Sequence, residues 1–142
     1  MSQEGLVQSR LSIRVGELSY VSPYAKVMRI DVSTLRGPTP GQVVVPTTGR
    51  LIYFSELTEP GLCEIANLDD TNYVEVGIYD TITGRFTPLL EVGPQECWPL
   101  KLSRNLREQY TGSGTGTTGA ESYLMIKANG ASCDVFVGAF DR

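Results

Sequence analysis

Asp69, Asp70 and Asn72 lie within four residues of one another in the stretch NLDDTNYVEVGIYD, residues 67–80. Such a cluster can offer oxygen ligands to a calcium ion, but a helical-hand calcium loop needs glycine at its sixth position and glutamate at its last, and that spacing is missing here. Asp and Asn side chains also hydrogen-bond their own backbone and favour tight turns. The segment Asp69-Asp70-Thr71-Asn72 is therefore read as a turn between two antiparallel strands, capped by its own side-chain oxygens. Six glutamates, Glu56, Glu59, Glu64, Glu75, Glu91 and Glu96, can in principle supply the carboxylate pair of a glycosidase. Scattered along alternating strands, they define a solvated face instead. Trp98 with Tyr53, Tyr73 and Tyr79 can stack on a sugar, although strand aromatics more often serve as core or interface anchors.

Composition closes other routes. Histidine is absent, which removes Ser-His-Asp and Cys-His relays, His-ligated zinc and imidazole acid–base catalysis. Cys63, Cys97 and Cys133 form no CxxC pair and sit among apolar neighbours, where a free cysteine behaves as a small buried hydrophobe. The stretch GTGTTG, residues 114–119, matches a dinucleotide fingerprint literally but lacks the strand before it and the helix after it. No nucleophile–base pair, metal site or cofactor site is expected, and the protein is read as non-enzymatic. The net charge of −4 and twelve scattered Lys and Arg residues disfavour direct nucleic-acid contact. No apolar run approaches the ~20 residues that span a bilayer, and the first ten residues lack the apolar core of a secretory signal. Synthesis in the cytoplasm and no membrane association are the expectation.

The elements that must position these residues are short and strand-like. Ten segments qualify: 11–15, 26–32, 42–46, 50–57, 62–68, 73–80, 85–92, 97–102, 123–128 and 133–140. They are rich in Val, Ile, Tyr and Phe and are punctuated by turn residues about every ten positions. Pro60-Gly61 suits a type II turn. Only LSRNLREQY, residues 102–110, can make a helical turn or two. Many short strands without alternating helices predict an all-β fold, an antiparallel β-sandwich of jelly-roll type. Residues 1–10 read as an N-terminal arm and 11–142 as one domain, with a flexible Gly/Thr loop at 111–121.

Alternation also predicts which faces are buried. In residues 133–140, Cys133, Val135, Val137 and Ala139 share one face, leaving Phe136 and Phe140 on the other. Leu124 and Ile126 likewise oppose Tyr123 and Met125. Strands apolar on both faces need cover on both. That cover is either a second subunit or an N-terminal segment of the same chain, so Tyr123, Met125, Phe136 and Phe140 are the candidate oligomer or capsid interface.

Residues 50–141 resemble a family of small tailed-bacteriophage virion proteins. The likeness is carried by Pro60-Gly61, by the segment Asn67 to Gly77, by Phe86, Pro88 and Leu89, by Pro94 and Glu96, and by a late strand pair. The N-terminal portion and the 111–121 loop depart from that pattern. The resemblance implies a non-enzymatic virion component, and a capsid decoration (cement) protein on the shell exterior is the expectation. Its partners would be the major capsid protein and copies of itself, as a trimer. Alternatives are a tail, neck or baseplate adaptor, or a carbohydrate-binding module.

Overall fold

The computed structural model describes residues 3–24, 27–32, 36–103 and 122–142. The expected Gly/Thr loop, the GTGTTG stretch and most of the expected helical turn lie outside them. No helix occurs among the described residues. The chain divides into two compact units, Met1–Thr34 together with Arg142, and Leu35–Asp141. The boundary thus falls at Thr34/Leu35, beyond the expected ten-residue arm.

Among the described residues the first unit holds four strands: β1 (Gln3–Gln8), β2 (Ser12–Val15), β3 (Leu18–Val21) and β4 (Val27–Val32). Strand β1 pairs antiparallel with β4, and β2 with β3. Gly16 and Glu17 form the two-residue connection between β2 and β3, and Gly16 takes φ of 55°. Glycine in the first position of so tight a hairpin supplies the positive φ that matches strand twist. The Ser22 N–H donates to the Leu11 carbonyl at 2.9 Å, extending the ladder by one pair. An exposed ion pair, Arg29 to Glu4 at 2.7 Å, ties β4 to β1.

Among the described residues the second unit holds eight strands: β5 (Thr39–Val45), β6 (Arg50–Ile52), β7 (Pro60–Asn67), β8 (Val74–Asp80), β9 (Arg85–Val92), β10 (Cys97–Lys101), β11 (Ser122–Ala128) and β12 (Cys133–Asp141). They form two antiparallel four-stranded sheets, in the orders β10-β7-β12-β5 and β6-β11-β8-β9. One core draws on both: Val43, Val45, Ile65, Val135 and Val137 from the first, and Ile52, Val74, Val76, Val92 and Ile126 from the second, with Phe54 fully buried beside them. β-Branched residues dominate because they pack well on a pleated surface. The body is all-β and sandwich-like, as the alternation predicts.

All ten expected segments contain a strand, and β1 and β3 are additional. Two local expectations are corrected. Pro60 and Gly61 are the first two residues of β7, both buried, with Pro60 paired to Asp141. They make no turn, because the chain enters the sheet directly at Pro60. The segment 68–73 does reverse the chain, but it carries it from one sheet to the other, since β7 and β8 belong to different sheets.

The edges of both sheets are blunted. Edge strands β10, β5 and β9 contain Pro99, Pro40 and Pro88 respectively, and β6 is three residues long. Proline removes a ladder donor, and very short edges offer little template for pairing with another chain.

Candidate functional site

The Asp69 cluster is consumed by its own arch. Asp69 Oδ2 accepts the backbone N–H groups of Thr71 and Asn72 at 3.1 and 2.6 Å, and the Asn72 side-chain amide at 3.2 Å. Those bonds, from the Asn72 backbone first, hold the Asp69 carboxyl below its ordinary pKa. Asn67, 1% exposed, donates to the carbonyls of Asn72 and Val92 at 2.8 and 3.2 Å and accepts the Asp69 N–H at 3.0 Å. Gln95 adds a brace, its side chain donating to the Leu68 carbonyl at 3.0 Å. The side-chain oxygens thus cap backbone donors, which is a structural role. Among the described residues no group of three His, Cys, Asp or Glu side chains converges as a metal site.

Of the six glutamates, Glu75 and Glu91 stand directly opposite one another on β8 and β9, while Glu56, Glu59, Glu64 and Glu96 lie on neither of those strands. Glu96 accepts from the Trp98 indole and the Gly93 N–H, both at 3.0 Å. These bonds, the indole first, lower its pKa. Glu64 accepts the Cys97 thiol at 2.8 Å. Burial, then the hydrogen bond and charge of Glu64, push the exposed Cys97 thiol up to about 11. Cys63 is pushed up to about 12 by burial, with Glu64 adding to the shift. Neither thiol is a poised nucleophile.

The four interface candidates fall on two surfaces. Tyr123 and Met125 stand on the outward side of β11, opposite its core-facing Leu124 and Ile126, yet they are only 8% and 7% exposed. Tyr123 meets Tyr53 edge-to-face with ring centroids 5.7 Å apart, and Met125 lies close over Gly49. Phe136 and Phe140 stand on the outward side of β12, in the other sheet, and are half-buried. Phe136 lies beside Gly138, and Phe140 beside Gly37. The quartet therefore does not form a single patch. The aromatics weighed for sugar stacking also separate: Trp98 is on β10, whereas Tyr79 stands in register with Tyr123 and Phe86 in the other sheet.

A different surface stands out. The β2–β3 register places Ile13 opposite Tyr20 and Val15 opposite Leu18. Residues two apart on a strand share a face, so all four side chains lie on one side of the hairpin, with Ser12, Arg14, Ser19 and Val21 on the other. None of the four is covered; exposure runs from 42% for Ile13 and Tyr20 to 67% for Val15. Ten of the seventeen exposed large hydrophobics among the described residues belong to the first unit. An isolated two-stranded ribbon is marginal in water without something to cover its apolar face, and such patches mark interaction surfaces. The sequence carries the signal, alternating apolar residues on both sides of a Gly-x pair, but LSYV is too short to read as a strand by itself.

A cleft of about 170 Å³ opens between Pro40, Val43 and the segment Arg50 to Tyr53. It is smaller than the ~300 Å³ of a small ligand pocket, and Arg50 is engaged with the Val44 carbonyl at 3.2 Å.

No family model, no curated protein and no solved structure matches this chain.

Proposed function

We propose that the chain is a non-enzymatic structural subunit of a tailed-bacteriophage virion, a decoration protein that binds the outer capsid shell. The observation that carries this proposal is the uncovered apolar face of the β2–β3 hairpin, attached to a body whose sheet edges are all blunted. A chain so arranged protects itself against indiscriminate strand pairing while keeping one surface for a partner.

The strand order supports a jelly roll. Taking the body strands in chain order, the first sheet joins the first, eighth, third and sixth, and the second joins the second, seventh, fourth and fifth. Two nested Greek keys generate this order, and jelly rolls recur in viral capsid and lectin domains. The resemblance of residues 50–141 to phage virion proteins favours the first of these. The net charge of −4 suits an exterior position, since packaged DNA would repel an acidic lining. Binding across joints between capsid proteins would stabilise the expanded shell by mass action.

Purified protein added to expanded particles lacking it should bind saturably and raise their disruption temperature. Failure to bind shells, with recovery of the protein in purified tails, would favour a tail or neck adaptor instead.

A glycan-binding role is a second reading, favoured by one observation. Phe86, Tyr79 and Tyr123 stand in register across three strands, with Tyr53 against Tyr123, so the outward side of one sheet carries an aromatic row. Retardation in polysaccharide-containing gels, abolished by Tyr53→Ala, would support it.

A further inference from the structure

We propose that Asn129-Gly130, in the exposed turn between β11 and β12, is a site of spontaneous covalent modification, where the folded chain converts asparagine to aspartate and isoaspartate. The site lies apart from the hairpin and does not depend on the decoration role.

The sequence singles the pair out. Of the four asparagines, Asn67, Asn72 and Asn105 precede Leu68, Tyr73 and Leu106, and Asn129 alone precedes glycine. The reaction needs the next residue's main-chain nitrogen to reach the asparagine's own side-chain carbonyl carbon. A bulky side chain on that next residue obstructs the approach, and glycine has none. The turn itself demands glycine. Gly130 takes φ of 78°, and a Cβ there would meet Asn72 Oδ1 at 2.8 Å.

The fold leaves the reacting nitrogen free. Residues 129–132 are all exposed. Among the described residues the Gly130 N–H donates no hydrogen bond, so its attack breaks none. At Asn67 the corresponding nitrogen, that of Leu68, is tied to the Asp134 carbonyl at 2.9 Å, and the asparagine is buried. At Asn72 the side-chain amide is held by Asp69.

The Gly130 nitrogen loses its proton and bonds to Asn129 Cγ. The Cγ–Nδ2 bond breaks, and Nδ2 departs with that proton as ammonia. Water then opens the five-membered imide. Addition at Cγ yields aspartate, and addition at the main-chain carbonyl yields isoaspartate, with the chain rerouted through Cβ and Cγ. The two products fit differently. Tyr73 Oη accepts from Asn129 Nδ2 at 2.9 Å, and the same hydroxyl can turn to donate to an aspartate oxygen. Isoaspartate instead lengthens the main chain by one atom at a pinned turn. There the Asn129 N–H donates to the Tyr73 carbonyl at 3.0 Å, and the Ala131 N–H to the Asn129 carbonyl at 2.9 Å. The turn must shift, and Gly130 passes that shift to Asn72 in the arch between the sheets.

Peptide mapping of the purified full chain, aged at mildly alkaline pH with and without urea, tests this. The native chain should gain the mass of an amide-to-acid conversion at position 129, with Asn67 and Asn72 intact. Its rate should lie within about tenfold of the rate in urea, since an exposed turn opens at little cost. Asn129→Gln should abolish the more acidic species on ion exchange. The isoaspartyl fraction, recovered from the native chain, should unfold at lower urea than fresh protein, whereas Asn129→Asp should match fresh protein. Conversion only in urea, conversion first at Asn67 or Asn72, or an acidic species that persists in Asn129→Gln would each overturn the proposal.

Discussion

The side-chain amide of Asn67 donates to the carbonyl of Asn72 at 2.8 Å, tying together the two ends of the arch that carries the chain from one sheet to the other. The same amide reaches the Val92 carbonyl at the end of β9. A buried asparagine thus joins β7, the arch and β9 at one point. Substitution Asn67→Ala should strand two carbonyls and cost about 2–4 kcal/mol. Asp70→Ala, at an exposed position of the same arch, should stay within about 0.5 kcal/mol of wild type. Urea unfolding of both variants checks the contrast.

Gly77 is held by close approach. A Cβ there would collide with the carbonyl oxygen of Thr87 and with Pro88 on the neighbouring strand, where β8 and β9 shift register and leave Leu89 unpaired. Because both obstacles are backbone, neither can swing aside. Gly77→Ala should destabilise the body by about 3 kcal/mol, the upper end of ordinary overpacking costs, as a fall in urea midpoint without a change in slope.

Acid should destabilise the fold in a defined window. Asp69, Asp80 and Glu96 all have lowered pKa values. Asp80 owes this first to the Ile82 N–H, and the other two to the bonds given above. A carboxyl whose folded pKa lies below its unfolded one binds fewer protons when folded, so its stabilisation is complete above the unfolded value of roughly 4 and is lost as pH falls through the folded value. The urea midpoint should therefore be level from pH 7 to about 5 and fall below about 4. Asp69→Asn should flatten part of that fall.

The thiols make a further test. With Cys97 pushed up to about 11 from an ordinary 9.0, about a hundredfold less thiolate is present at pH 8 than for a free cysteine. Iodoacetamide should label native Cys97 slowly despite its exposure. Glu64→Gln, which removes the carboxylate charge, should speed labelling several-fold. Buried Cys63 and Cys133 should react only on unfolding.

Much of the fold was legible because period-two alternation and turn residues are local signals. Ile126 and Val135 announce a core face by their spacing alone. Strand β1 was missed because QEGLVQ offers only two large apolar residues. Strand β3 was missed because LSYV is short, although Gly16-Glu17 before it is a hairpin signal. The long-range arrangement left no such trace. Nothing in the spacing of Tyr123 and Phe136 shows that their strands belong to different sheets, and nothing in NLDDTN shows that it crosses between sheets. Asn67 looked like any turn residue, and only its burial at the crossing reveals it as a tie. The hairpin face escaped for a related reason: an apolar strand reads as core until the structure leaves it uncovered.

The proposed role, an assembly protein of a virion exterior, is tested most directly by counting copies of this chain in purified particles, using quantitative mass spectrometry against the major capsid protein. A decoration protein should be present in hundreds of copies, in fixed ratio to the shell subunit, and be released from the shell surface by mild treatment. A handful of copies confined to tails, or none in the particle, would contradict the account.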